Sequence, residues 1–464
     1  MPTCGTRCGF RTDIFHLTML NGYDIAYFTG LSLTAPLWLV FPSSRRKVLK
    51  ALRERMGHVE PRHPSKWAVM VHAVSLGEMN ATHALIDLLR KSNPELQFIV
   101  STTTDTGFDR GRQLYGNAAD VTLIKYPLDF SAAVNRVLDR LKPAIIVLME
   151  LEVWPNFLLR CQQRNIPVIV ANGRMSEGSY RNYKRFKPIL SAMFRRLTKV
   201  CAQDEAFAAR FVELGVAPGN AIVTGTMKFD TAEVSDRIAG DADLAEAVGL
   251  YPGPEQIWVC GSTGPGEEEI LLRIYRDLLA RHARLRLVIV PRKPDRFDEV
   301  ATLIESMKFR LVRRSRKTAS IAAGVVPPVV LGDTTGELRK FYSLADVVFI
   351  GRSLVDLGSK QHGSDMIEPA ALARAVVVGP FTGNFAEVMR RFQQKDAMLI
   401  VHDETQLRAA MFDLLASPQK AMALGQRAQD VVRNGQGATE RHLAVILEIL
   451  ENVEKTSWPA IFTA

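Results

Sequence analysis

The chain has 464 residues, 47% of them hydrophobic and 23% charged, with a formal net charge of +10. Such a chain is neither largely disordered nor confined to one small core, and its length points to two or three domains. The positive excess favours an anionic partner, whether nucleic acid, a phosphorylated substrate or an acidic membrane surface, without choosing among them.

Residues 25–44 carry no formal charge and include Phe28, Leu31, Leu37, Trp38, Val40 and Phe41. A run of about 20 apolar residues is long enough to enter or cross a bilayer. Arg45, Arg46, Lys47, Lys50, Arg53 and Arg55 follow it. Positive residues stay on the cytoplasmic side, so residues 1–62 are expected to form a membrane anchor and basic juxtamembrane segment, with the rest cytoplasmic. Gly30 and Pro36 interrupt the run, so a helix lying in the membrane or packed on the protein is the competing reading. A cleaved signal peptide fits worse, because the basic residues follow the apolar stretch.

Beyond the anchor, apolar runs alternate with helical periodicity. In segment 63–230 the runs are 67–72, 98–101, 145–149, 168–171 and 221–224. Continuous apolar strands separated by helices imply a parallel sheet covered on both faces. Segment 231–255 is polar and helical, closes on Tyr251-Pro252-Gly253-Pro254 and reads as a linker. In 256–464 the alternation resumes at 257–260, 285–290, 329–331, 347–350 and 375–378, followed by helices. The expected class is α/β, with two Rossmann-like domains whose strand ends face a cleft.

In open parallel sheets, ligands bind past the carboxyl ends of the strands. Glu78, in His72-Ala73-Val74-Ser75-Leu76-Gly77-Glu78, stands there after the first run. It is a candidate general base, or else an early-turn helix acid that complements the dipole. Glu150 and Glu152 follow the run 145–149, so Glu78 and Glu150 face the same cleft edge. That pair of acids also fits hydrolysis, and Glu150 or Glu152 can instead cap the next helix. Asn172-Gly173-Arg174 follows the next run, and 180–199 then carries Arg181, Lys184, Arg185, Lys187, Arg195, Arg196 and Lys199 with no acid, interleaved with Phe186, Ile189, Met193, Phe194 and Leu197. That stretch suits an anionic membrane surface or a phosphorylated lipid; equally, it is a core-packing stripe with a solvated basic face.

In the second half, 261–269 is a glycine-rich turn into a helix whose N-terminal amides can bind an anion. Arg292 after one run, 333–337 after another and Glu368 later form strand-end polar clusters that look like a nucleotide site, with Arg292 for phosphate and Glu368 for ribose hydroxyls. There is no Gly-Lys-Ser/Thr loop, and Asp241-Ala242-Asp243, the one Asp-x-Asp, falls in the linker, so a mechanism without metal or other cofactor is expected. Cys4 and Cys8 have no second pair to complete a zinc site, and Cys161, Cys201 and Cys260 read as reduced core residues. No aromatic-basic recognition motif supports nucleic-acid binding.

Taken together, His72-Ala73-x-Ser75-x-Gly77-Glu78, Glu150-Leu151-Glu152-x-Trp154-Pro155-Asn156, Lys228-Phe229-Asp230, Gly261-Ser262-Thr263, Pro291-Arg292 with Arg296, Gly336-Glu337-Leu338 and Glu368-Pro369-Ala370 resemble the bacterial 3-deoxy-D-manno-octulosonic acid (Kdo) transferases over nearly the whole chain. The resemblance implies a GT-B glycosyltransferase on the cytoplasmic face of the inner membrane, moving Kdo from CMP-Kdo to a lipid A precursor, lipid IVA, with inversion. It implies that Glu78 is the base, that Glu150 and Lys228 stabilise the reacting centre, and that Pro291, Arg292, Thr335, Gly336, Glu337 and the segment Asp365, Met366, Ile367 and Glu368 hold CMP.

The chain departs from the family pattern in places. Arg352 stands where a second glycine of Gly-Gly-Ser-Leu-Val is usual, Gly264 and Lys293 stand where histidines are common, and 358–368 is about four residues longer with Asp365 near the usual Asn. An acid there would repel the CMP phosphate. The alternatives are a GT-B transferase for another nucleotide sugar and a catalytically silent membrane-anchored scaffold.

Overall fold

The computed structural model describes residues 21–40, 51–62, 66–316, 326–358 and 362–461. It divides into two units, one made of 1–227 with 437–464, the other of 228–436.

The first unit holds a seven-stranded sheet, β1 (Ala68–His72), β2 (Gln97–Thr102), β3 (Val121–Lys125), β4 (Ile145–Met149), β5 (Val168–Gly173), β6 (Lys199–Ala202) and β7 (Ala221–Val223), in the order β3-β2-β1-β4-β5-β6-β7. All its pairings are parallel. β1 and β4 are buried throughout because alternate residues feed apolar layers on opposite faces: Met70, Ile146 and Leu148 on one, Val69, Val71, Ile145 and Val147 on the other.

The second unit repeats the plan with β8 (Gln256–Thr263), β9 (Leu285–Pro291), β10 (Leu311–Arg313), β11 (Val329–Leu331), β12 (Val347–Ile350), β13 (Ala375–Val378) and β14 (Leu399–Ile400), in the order β10-β11-β9-β8-β12-β13-β14, again all parallel. Four strands escaped the sequence reading: β3, β6, β10 and β14. β6, β10 and β14 are short, and β3 is broken by Thr122 and ends on Lys125, so they present no long apolar run.

Three assignments change. Segment 231–255 is part of the second unit rather than a free linker: Ala232, Leu244, Ala245, Val248 and Leu250 lie in its core. The final helix, Ala438–Ile461, belongs to the first unit, where Val445, Ile446, Ile449 and Leu450 join its core. His442 pins it: the Asn172 N–H and the Thr224 hydroxyl meet His442 Nε2 at 2.8 and 3.2 Å, while Nδ1 lies 2.7 Å from Ala438 O. The basic stretch 180–199 is two helices, Glu177–Arg185 and Lys187–Phe194, with Pro188 in the first turn of the second, and Lys199 opens β6. Its apolar side chains divide as well, since Met193, Phe194 and Leu197 are buried while Phe186 and Ile189 are exposed.

The apolar run near the start is helical over Gly22–Val40. Among the described residues no helix is long and apolar enough to cross a membrane, so the transmembrane assignment gains no support. The first turn of Gly22–Val40 is tied to the first unit instead: buried Asp24 accepts from the Ser131 N–H at 2.8 Å, the Ser131 hydroxyl at 2.7 Å and Asn156 Nδ2 at 3.2 Å. Tyr27 meets Phe130 edge-on, and Ile25 and Phe28 stay exposed. Residues 41–44, Arg45, Arg46, Lys47, Lys50, Cys4 and Cys8 lie outside the described residues. Cys161, Cys201 and Cys260 are buried free thiols.

Candidate functional site

In the first sheet the strand order reverses between β1 and β4, the crevice where open α/β sheets take ligands. Glu78 and Glu150 follow these two strands.

Glu78 lies in the first turn of helix Leu76–Ser92, whose N-cap is Ser75. Its N–H donates to Ser75 Oγ at 3.2 Å, the Ser75 hydroxyl donates to Glu78 Oε1 at 2.7 Å, and the Val74 N–H donates to Oε2 at 3.0 Å. This reciprocal cap makes Glu78 the early-turn helix acid of the second reading, and it also fixes the carboxylate in place. Burial pushes its pKa above the usual glutamate range, the Val74 amide opposes this, and Glu150 and Glu152 add to it.

Glu150 sits in the left-handed region at φ +58°, strain that a non-glycine residue keeps only where its surroundings enforce it. Its N–H donates to Ala171 O at 2.9 Å, and Arg174 Nε is 3.8 Å from its carboxylate. Glu152 accepts from the Trp154 indole at 3.2 Å, and its pKa is raised by burial and then by Glu150. Neither acid caps helix Pro155–Gln163. Asp129 does: its oxygens accept from the N–H groups of Asn156 at 3.0 Å and Phe157 at 2.8 Å. Burial pushes Asp129 up to about 7, the two amides oppose this, and Asp24 adds to it. His72 is buried with Nδ1 3.1 Å from Ser101 O, and burial lowers its pKa to about 3, so it stays neutral. The arrangement clusters three acids in which Glu150 raises the proton affinity of both Glu78 and Glu152, and a raised carboxylate is what a base near neutral pH needs.

The second unit carries the cations. Pro291 ends β9 and is buried; Arg292, just beyond, is exposed and its N–H donates to Thr263 O at 3.1 Å. Asp365 accepts from the Ile367 N–H at 2.8 Å. Crowding by the surrounding chain raises its pKa although the residue remains accessible to solvent, while the Ile367 amide, Lys228 and Arg292 oppose the rise. Burial and Asp365 raise Glu368, against Arg339 and Arg292. Asp365 is thus within electrostatic reach of Lys228, Arg292 and Glu368, and its acid is offset by two cations. Lys228 opens the second unit, with its ammonium 5.6 Å from the Phe385 ring centroid, and does not belong to the unit that carries Glu78 and Glu150.

The remaining expected donor residues divide by role. Met366 and Ile367 point into the core, so only their backbone is available to a ligand. Thr335 and Gly336 are exposed. Glu337 is engaged by Arg314 at 2.9 and 3.0 Å and by the Thr334 hydroxyl at 2.5 Å. Burial opposes its ionisation, but the hydroxyl and the guanidinium outweigh burial and hold its pKa below the usual range. It therefore shapes the loop. The turn 261–269 does not offer its Gly264 amide to an anion, because Glu267 already takes it at 2.8 Å, together with the amides of Arg352, Ser353 and Leu354. Asp241 is held by Arg237 at 2.8 Å and by Ser343, a structural acid. Sequence reasoning missed Asp129 and Glu267; a Glu directly after a glycine-rich turn is the one signal that pointed to the latter.

Comparison with known proteins identifies the family. Residues 50–231 match the family model described as 3-deoxy-D-manno-octulosonic-acid transferase (kdotransferase). The chain is 32% identical over 389 residues to the 3-deoxy-D-manno-octulosonic acid transferase of Haemophilus influenzae, covering 84% of this chain and 88% of that one. It is 33% identical over 398 residues to the enzyme of the same name from Bordetella pertussis, covering 84% and 89%. Among solved structures, a glycosyltransferase from Rickettsia africae shares the fold at TM-score 0.52 and 14% identity, covering 85% of this chain and 100% of that chain. The UDP-GlcNAc 2-epimerase of Neisseria meningitidis does so at TM-score 0.54 and 14% identity, covering 83% and 100%. The two parallel-sheet domains thus have a GT-B-like fold, and by its likeness to the Haemophilus influenzae and Bordetella pertussis transferases the chain belongs to the 3-deoxy-D-manno-octulosonic acid transferase family.

Proposed function

We propose that this protein transfers Kdo from CMP-Kdo to lipid IVA, the lipid A precursor, with inversion and without a metal. The observation that carries the reading is the acid cluster at the β1/β4 reversal, in a chain of this family. Glu78, held by Ser75 and Val74 and raised in pKa by burial and then by Glu150 and Glu152, takes the proton of the acceptor hydroxyl. The acceptor oxygen bonds to the anomeric carbon of Kdo as the bond from that carbon to the phosphate oxygen breaks, and CMP leaves with the electron pair. Arg292 and Lys228 stabilise the negative charge that builds on the phosphate, so cationic side chains do what a metal does elsewhere. Pro291, Thr335, Gly336 and the backbone of Asp365, Met366 and Ile367 shape the donor site, and Glu368 binds ribose hydroxyls.

The protein works at the cytoplasmic face of the bacterial inner membrane in this reading. Exposed Ile25 and Phe28, and exposed Phe186 and Ile189 within a basic stretch without acids over 180–199, suit an anionic lipid surface and an acylated, phosphorylated acceptor.

The test is transfer itself. Purified protein with CMP-Kdo and lipid IVA in EDTA is expected to give a product heavier by whole Kdo units in the mass spectrum, and Glu78→Gln is expected to lose about 10²–10⁴ in rate. CMP-Kdo left intact by the wild-type protein would overturn the donor assignment, and activity that needs a divalent ion would overturn the metal-free mechanism.

A further inference from the structure

The second sheet also has an order reversal, between β8 and β12, and by the same rule a ligand is expected past these two strand ends. The ends touch through their backbones: the Gly351 N–H donates to Gly261 O at 2.8 Å, and a Cβ on Gly351 would stand 2.4 Å from Thr263 Cα. Arg352 is the next residue, and it is in the left-handed region at φ +60°, which costs an arginine on the order of 1–2 kcal/mol.

Glu267 enforces that conformation. Its carboxylate accepts from the N–H groups of Arg352 at 2.6 Å, Ser353 at 2.9 Å and Leu354 at 3.0 Å, and the Arg352 carbonyl accepts from the Gly363 N–H at 2.6 Å. The turn directs the Arg352 stem over Gly264, where an added Cβ would lie 3.0 Å from Arg352 Cγ and 2.6 Å from Leu357 Cδ1. A side chain at 264 would overlap Leu357 and press on the Arg352 stem. From the other side of β8, Arg292 is joined by its backbone to Thr263 O. Two arginines thus flank one strand end, and they feel one another: burial first and then the Arg292 charge lower the Arg352 pKa, with Glu267 opposing. Strain and like-charge repulsion are maintained together at the point where the topology expects a ligand, and an anion relieves the repulsion.

We propose that Arg352 is a second phosphate-binding residue of the donor site, gripping together with Arg292 the phosphate of the nucleoside monophosphate sugar. This rests on the reading above that the second unit binds CMP-Kdo. The sugar nucleotide of such a donor has a single phosphate between nucleoside and sugar, and paired guanidiniums match its two free oxygens.

The probe is calorimetric titration with CMP and with cytidine, which lacks the phosphate, on wild type, Arg352→Gly and Arg352→Lys. Glycine accepts the φ of this position, so the fold is kept, and a melting curve checks it. Arg352→Gly is expected to weaken CMP at least about tenfold and cytidine little, with Arg352→Lys between, since the loss is that of charge-assisted hydrogen bonds. Unchanged CMP affinity in Arg352→Gly overturns the assignment while leaving the donor reading in place. Equal weakening of CMP and cytidine overturns it too, because that is the mark of a packing role. A wild-type protein that binds neither overturns the donor reading and this inference with it.

Discussion

The two sheets reverse their strand order at equivalent places, and at each a non-glycine residue in the left-handed region follows the strand: Glu150 after β4 and Arg352 after β12. The chemistry is opposite. The first unit gathers Glu78, Glu150 and Glu152, and Glu150 raises the proton affinity of the other two; in the second, Lys228 and Arg292 face the raised acid Asp365, and Arg352 stands by Arg292. One backbone plan therefore supplies the location twice, and the side chains give the two locations opposite charge, which in the proposed reaction suits one to accept a proton and the other to hold an anion.

The largest expected effect on that comparison is the loss at Glu78→Gln already given. Next is Arg292→Ala, expected to lower kcat/KM for CMP-Kdo about 10–100-fold through both a higher KM and a lower kcat; an unchanged kcat/KM would place the phosphate elsewhere. A smaller effect separates the acids of the first unit. Glu150 raises the pKa of Glu78, so Glu150→Gln is expected to move the acid limb of the pH–rate profile to lower pH, and a limb that stays or moves up contradicts the coupling.

The smallest concerns stability. Asp129 titrates near 7 in the folded protein against 3.8 for the free side chain. Between those values the folded state holds a proton that the unfolded state has lost, so its contribution falls as pH rises from about 4 to about 7. Asp129→Asn is expected to flatten that part of a plot of melting temperature against pH, and an equally steep plot would remove Asp129 as the cause.

Much of the fold was legible because it is written locally. Runs such as 145–149 and 347–350 are apolar at every residue and became the central strands β4 and β12, and a carboxylate or arginine just past such a run had to emerge at a sheet edge. Glu78 was legible in both its readings, since cap and candidate base are the same carboxylate. Less was legible where a group chooses between distant partners. The cap on helix Pro155–Gln163 comes from Asp129, across a different loop, rather than from the nearby Glu150 or Glu152. Arg352 registered only as a departure from a glycine pattern, because its meaning depends on Gly264 and Arg292 across the sheet.

By itself, then, the sequence determined the two parallel sheets, the residues at their strand ends and the family, because these follow from hydrophobic runs and from short motifs whose parts are neighbours in the chain. Only the tertiary structure decided which unit takes the last helix, that 231–255 is core, that Lys228 stands with Asp365 and that Glu267 fills the glycine-rich turn. Each of those outcomes is a contest among partners far apart in sequence, settled by which burial and which hydrogen bonds the folded backbone allows.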